Sequence, residues 1–249
     1  FLAVPLGILL GRSFVEPGGG FGVANYQNLW RLPEQSGAFV PAQTAIGNSF
    51  RFAAIAIVIA SVIGLLAALT LSYAPRRASQ GFDVFVMLPL GTSAVTIGFG
   101  FLIALDWPFD IRTSLFLIPI AHALVGIPFV VRSVSPSLAA IQHRLREAAA
   151  TLGATPWQTF VHVDLRLITS AILVGAAFAF AISMGEFGAT TFIARPATPT
   201  IPIAIFRYLG RPGAAPFGAA LALSSLLMIV TGLSILAIDA LGRRGEDRA

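Results

Sequence analysis

The side chains able to do chemistry in this sequence are few, and their types exclude more than they permit. Cysteine and lysine are both absent. That removes thiolate, disulfide, iron–sulfur and Schiff-base chemistry, and the lysine that a GxxxxGK[ST] loop places on a nucleotide phosphate. The three histidines, His122, His143 and His162, and the 11 carboxylates form no pair at metal-ligand spacing, so neither a metal nor another cofactor is expected. One polar group stands out: Ser183, Glu186, Thr190 and Thr191 follow a long uncharged run. Glu186 lies about 19 residues, or about 28 Å, along a helix entered at residue 167. An ionisable group at that depth is a functional hypothesis by default. Two roles stay open for it: to line the outer mouth of a pathway with Ser183, Thr190 and Thr191, or to hydrogen-bond a neighbouring helix. His122, inside another apolar run, is read as a satisfied packing residue, and His143 and His162 as solvated.

The elements that position these groups follow from composition. Of 249 residues 56% are hydrophobic and 11% charged, against about 25% charged in an ordinary soluble domain. The apolar residues gather into uncharged runs at 52–74, 84–105, 113–131, 167–185 and 212–238, each long enough to span a bilayer as a helix. A shorter run, 1–11, is read as the remnant of a first helix, with a cleaved secretory signal as the competing reading. The expectation is an all-α, six-helix membrane domain that takes up the whole chain, 1–249. Glycines and prolines within the runs (Pro89, Gly91, Gly98, Gly100, Pro119, Pro128) are read as packing features more than as helix breaks.

All 16 basic residues are arginine. The +5 charge would suggest nucleic acid in a soluble protein, but arginines beside apolar runs belong at lipid headgroups, and no nucleic-acid partner is expected. Arg76 and Arg77 and the Arg243–Arg244 tail sit immediately beside runs, which puts both chain ends and the segments 75–81, 132–166 and 242–249 on the cytoplasmic side. The outer segments are 13–47, 106–112 and about 192–211, with Tyr26, Trp30, Trp107 and Tyr208 as interfacial anchors.

The segment 135–166 has more construction than a connector needs. Leu138, Ile141, Leu145, Ala148 or Ala149, and Leu152 recur every three or four residues, which predicts one helix, capped by Ser135 and opened by Pro136. Gly153 supplies a positive φ to end it. Thr155-Pro156-Trp157-Gln158 then has the cap, the opening proline and the glutamine of a capping box.

Glu147-Ala148-Ala149, three residues, then Gly153, between the fourth and fifth spans, resembles the EAA loop of binding-protein-dependent ABC importer permeases. The resemblance implies a type I importer transmembrane domain of the bacterial inner membrane, whose short helix docks on a cytoplasmic ATPase. Arg144, Arg146, Glu147, Ala148, Ala149 and Gly153 would then couple ATP hydrolysis to transport. The implied partners are an ATPase dimer, an extracytoplasmic substrate-binding protein, a second permease half and the lipid bilayer. Asn48-Ser49-Phe50-Arg51, Met87-Leu88-Pro89-Leu90 and Met184 to Thr190 resemble permeases of the ferric-iron, thiamine, molybdate and sulfate group. The stretch from Ala194 to Gly213 is similar to iron-type permeases, which implies ferric iron as cargo and a fused tandem of two halves, this chain being the second. One departure is Leu165-Arg166, where the family has Leu-Pro; the returning helix is expected to lack a kink, with Arg166 reaching headgroups or pairing with Asp164. A proton-coupled transporter or channel using Glu186 is the alternative, and a membrane anchor without transport a third reading.

Overall fold

The computed structural model describes residues 3–16, 18–31, 41–106, 110–112 and 114–246, and the side chains of all of these except 31 and 242–246. Trp107 and Arg248 lie outside the described residues, as do the side chains of Arg243 and Arg244. Two short helices, α1 (Ala3–Ser13) and α2 (Ala24–Arg31), precede α3 (Ala42–Tyr73). There follow α4 (Arg76–Gly91), α5 (Ala94–Ala104), α6 (Leu117–Ala140), α7 (His143–Thr151) and α8 (Pro156–Thr159). A π-helical segment, Phe160–Asp164, leads into α9 (Leu165–Gly185), and α10 (Gly188–Ile193), α11 (Ile201–Leu209) and α12 (Ala214–Glu246) complete the described chain. The described residues contain no strand, only an isolated bridge between Val15 and Phe21.

Four helices are long and apolar enough to cross a membrane: α3, α6, the continuous 156–185 helix ending in α9, and α12. The helix pair α4 and α5 passes the same test only when taken together, as a broken span or a re-entrant loop, and α1 is a shorter apolar helix. At the centre α3, α6 and α9 pack on one another. Alanines bring the helices together, Ala56, Ala60 and Ala68 of α3, Ala123 of α6, Ala171 and Ala179 of α9, and Val130, Val134, Leu138 and Ile168 fill the space beside them. Lipid tails are as apolar as leucine, so helices in a bilayer associate through close packing, and alanine lets the backbones approach. On the other side of α9, α12 contributes Ala219, Ala220 and Leu223 to a second cluster with Met184 and Tyr208.

The 84–105 run is not one straight span. It breaks after Gly91, and α4 and α5 meet at 102°. Thr92 explains the stop: its hydroxyl donates to the Leu88 carbonyl at 2.9 Å while its backbone N–H turns to Pro89 O at 3.4 Å, tightening and ending the helix. Pro128, by contrast, sits inside an unbroken α6. The helix predicted to start at Ser135 also differs. α6 continues through Pro136 to Ala140, because Val131, Val134 and Leu138 are buried on its packed face, and burial outweighs the local cap signal. Tyr208 is not an interfacial anchor but one of the most buried side chains, since α11 packs against α3 and α12. Asn48 and Ser49 hold that arrangement: Asn48 Nδ2 donates to Pro199 O at 3.0 Å and Ile201 N donates to Ser49 Oγ at 2.8 Å.

The bent pair is anchored through α5 and α10, which pack face to face. A Cβ on Gly98 would lie 2.6 Å from both the Cα and the carbonyl oxygen of Ala189, so only glycine permits the contact. Gly98→Ala must push two backbones apart, and overpacking of this kind costs about 1–3 kcal/mol. The expected outcome is a lower thermal midpoint in detergent; an unchanged midpoint would mean that α5 and α10 are not held together as described.

Candidate coupling loop and buried polar cluster

Two groups of residues carry the candidate chemistry, at opposite ends of α9. At its start lies the loop 142–158. Gln142, with extended backbone, opens α7, and Gly153 ends it at φ +85°. Ala154 N donates to Ala149 O and Gly153 N to Ala150 O, both at 3.0 Å, which is the paired bonding of a Schellman motif. Thr155 and Gln158 then form a complete capping box: Gln158 N donates to Thr155 Oγ1 at 3.3 Å and Thr155 N to Gln158 Oε1 at 2.8 Å. The turn and the second helix start are therefore where the sequence puts them.

None of the residues of α7 is buried. Arg144, Glu147 and Ala148 face outward, and Glu147 pairs with His143 at 2.9 Å on the exposed surface. Leu152, at the apex, is 89% exposed, with Leu145 and Trp157 exposed beside it. A crevice of about 370 Å³ lies behind the turn, lined by Ala149, Leu152, Gly153, Gln158 and His162. Arg146 differs from its neighbours by turning inward: its Nε donates to the buried Asp164 carboxylate at 2.9 Å, and its guanidinium stands 5.6 Å from the centre of the Tyr73 ring. Asp164 is thus taken by Arg146 and not by Arg166, which is exposed. No proline kinks the returning helix; the π-helical turn Phe160–Asp164 stands just before the position where the resemblance puts one.

At the far end of α9, His122 of α6 is fully buried and joins three segments. Its Nδ1 lies 2.7 Å from Ser183 Oγ and its Nε2 2.8 Å from Thr190 Oγ1. The Thr190 hydroxyl donates to Glu186 O at 3.2 Å. A ring protonated at Nε2 would donate to Thr190 and accept from Ser183 at Nδ1, which is consistent with Thr190 spending its own hydrogen on Glu186 O. Glu186 is 8% exposed. It caps the start of α10, its Oε1 accepting from Ala189 N at 2.8 Å. Thr191 stays outside this cluster, exposed and donating to Phe187 O. The described residues hold no group of histidine, aspartate or glutamate side chains arranged for a metal ion.

In the sequence His122 reads only as a packing residue, because its hydroxyl partners lie 61 and 68 residues away, the second of them beyond the helix break at 186–187. The segments 106–112 and 192–211, read as outer, meet through contacts that the sequence does not give. There Asp110 and Arg112 pair at 2.9 Å, and Arg195 donates to Arg112 O at 3.1 Å, beside a crevice of about 300 Å³. The side-chain bond from Arg112 holds the Asp110 carboxyl below the usual carboxylate range.

The described residues form a multi-span helical membrane domain with a capped loop between two of its long helices. Residues 60–244 match the family of binding-protein-dependent transport system inner membrane components, and the chain belongs to that family. It is a multi-pass inner-membrane permease subunit of a binding-protein-dependent ABC importer. The putative 2-aminoethylphosphonate transport system permease protein PhnV of Salmonella typhimurium is 31% identical over 186 residues, covering 74% of this chain and 69% of that protein. The molybdenum transport system permease protein ModB of Escherichia coli is 29% identical over 228 residues, covering 84% and 97%. A bacterial ABC transporter involved in the import of the polysaccharide alginate has the same fold, with a TM-score of 0.73 over 98% of this chain and 90% of that one, at 20% identity.

Proposed function

We propose that this permease domain forms one wall of a solute pathway and receives its energy through the loop 142–158, which docks on a separate cytoplasmic ATPase. The observation that carries the reading is the exposed Leu152 at the apex of a turn fixed on both sides, by the Schellman motif and by the capping box. A large apolar side chain held rigidly outward, with Leu145 and Trp157 nearby, is a protein-contact surface. Arg144, Glu147, Ala148, Ala149 and Gly153 belong to that surface or to the turn that presents it. Two ATPase copies engage two such loops in this family, and one is present here; a second permease half, fused or separate, supplies the other. An extracytoplasmic binding protein delivers the cargo, a reading supported by the family and by the solved alginate transporter in complex with a periplasmic protein.

The cargo is a small solute. Relatives are named for 2-aminoethylphosphonate, molybdenum and sulfate, and the likeness of 194–213 to iron-type permeases adds ferric iron to the candidates. Uptake into proteoliposomes containing the permease, its ATPase and its binding protein tests the reading. Uptake should require ATP and survive loss of the membrane potential and proton gradient. Uptake driven by a proton gradient without ATP would instead support a secondary transporter.

Ser183, Glu186, Thr190 and Thr191 are proposed to border the pathway. Glu186→Gln keeps an acceptor oxygen for Ala189 N and removes only the charge. We expect uptake to fall several-fold with the ATPase still copurifying. Unchanged uptake at every pH would leave Glu186 as a cap alone.

A further inference from the structure

Among the described residues, the side chain of Arg146 makes the only side-chain hydrogen bond that leaves α7 for the rest of the protein; those of His143, Glu147 and Thr151 stay within the helix. Its partner Asp164 is buried, and the Tyr73 ring beneath the guanidinium ends α3. Asp164 in turn closes the π-helical turn from which the 21-residue α9 rises, passing Ser183 and the His122 cluster about 27 Å above its start. We propose that Arg146 is a positioning residue and not an ATPase contact. It ties the docking helix to α9 and α3, so that a displacement of α7 is carried through the Arg146–Asp164 pair into the helix whose far end borders the pathway.

The chemistry suits a tether. Arginine offers a planar fork that bonds a carboxylate and stacks on an aromatic ring at once, which lysine does not reproduce. Removing Arg146 leaves the Asp164 carboxylate buried without its partner. The chain joins α7 to α6 through Ile141 and Gln142 and to α8 through the Gly153 turn, and the Arg146–Asp164 pair adds a side-chain link from the middle of α7 to the base of α9. The sequence gives the pair little prominence: Arg146 and Asp164 are 18 residues apart, and Arg166 is the more obvious partner in sequence.

This inference rests on α7 as the docking element, and the experiment separates the two. In proteoliposomes with the ATPase and binding protein, Arg146→Gln and Asp164→Asn are expected to keep ATPase copurification and to lose about tenfold in solute moved per ATP hydrolysed. The double variant should lose no more than either single one, since both break one link, and Arg146→Lys should retain part of the activity. Because the chain has no cysteine, spin labels at Ala150→Cys and Leu167→Cys read the tether directly in folded material. The distance distribution should broaden at least twofold in each single variant. Wild-type width and wild-type uptake in both singles would overturn the tether. Loss of copurification in Arg146→Gln but not in Asp164→Asn would make Arg146 an ATPase contact and overturn it as well. Leu152→Asp is the control for docking: if it leaves copurification intact, the docking reading fails and the tether falls with it.

Discussion

Gly153→Val should lower coupled transport about tenfold while the membrane helices stay folded. Gly153 stands at φ +85°, and a Cβ built there meets nothing within 4 Å, so the penalty is conformational and not steric crowding by neighbours. The left-handed region costs an ordinary residue about 1–2 kcal/mol, and a β-branched residue is a true outlier there. One or two kcal/mol changes a population five- to thirty-fold. That is small against the folding of the three-helix core, but it falls entirely on the Schellman turn that aims Leu152. Gly153→Asn, which tolerates the left-handed region better, should keep most of the activity. ATP-dependent uptake measured beside membrane abundance checks the series; full coupling in the valine variant would remove the turn from the mechanism.

His122→Ala is expected to act on stability first. Ser183 and Thr190 are both buried and each would lose its bond to the ring; Thr190 still donates to Glu186 O, so Ser183 is the hydroxyl left unpaired. A buried hydroxyl left unpaired costs about 1–3 kcal/mol. With the cavity added, the expected loss is about 3–5 kcal/mol, near the upper end for a single substitution. The thermal midpoint in detergent should drop by about 10 °C. Replacing all three groups together, as His122→Leu with Ser183→Ala and Thr190→Val, removes every unpaired group and should recover most of the loss, since apolar exchange of both partners is nearly neutral. If the single alanine variant is as stable as wild type, the cluster does not hold α6, α9 and α10 together.

Some of this was legible in the sequence for physical reasons. Long uncharged runs give helices because a bilayer leaves backbone groups no other partner. The Gly153 turn and the Thr155–Gln158 box are local signals, decided within four or five residues, and both stand as read. What local signals could not give was the outcome of competition with tertiary packing. Ser135 and Pro136 have the form of a helix start, yet burial of Val134 and Leu138 carries α6 through them. Pro89 and Pro128 look alike in sequence, and only the first precedes a break, where Thr92 turns its hydroxyl on the Leu88 carbonyl. The polar cluster was half visible: Ser183, Glu186 and Thr190 could be grouped by spacing, but His122 joins them only through the packing of α6 on α9.

The docking of the loop 142–158 on an ATPase is tested most directly by cross-linking at its apex. The cysteine-free chain accepts a single Leu152→Cys carrying a short photoreactive probe, in membranes that also hold the ATPase and binding protein. Cross-links to the ATPase subunit, absent when the probe is placed instead on the opposite side at Asp110→Cys, are the predicted result. Cross-links from Leu152→Cys to the binding protein or to lipid alone, with none to the ATPase, would contradict it.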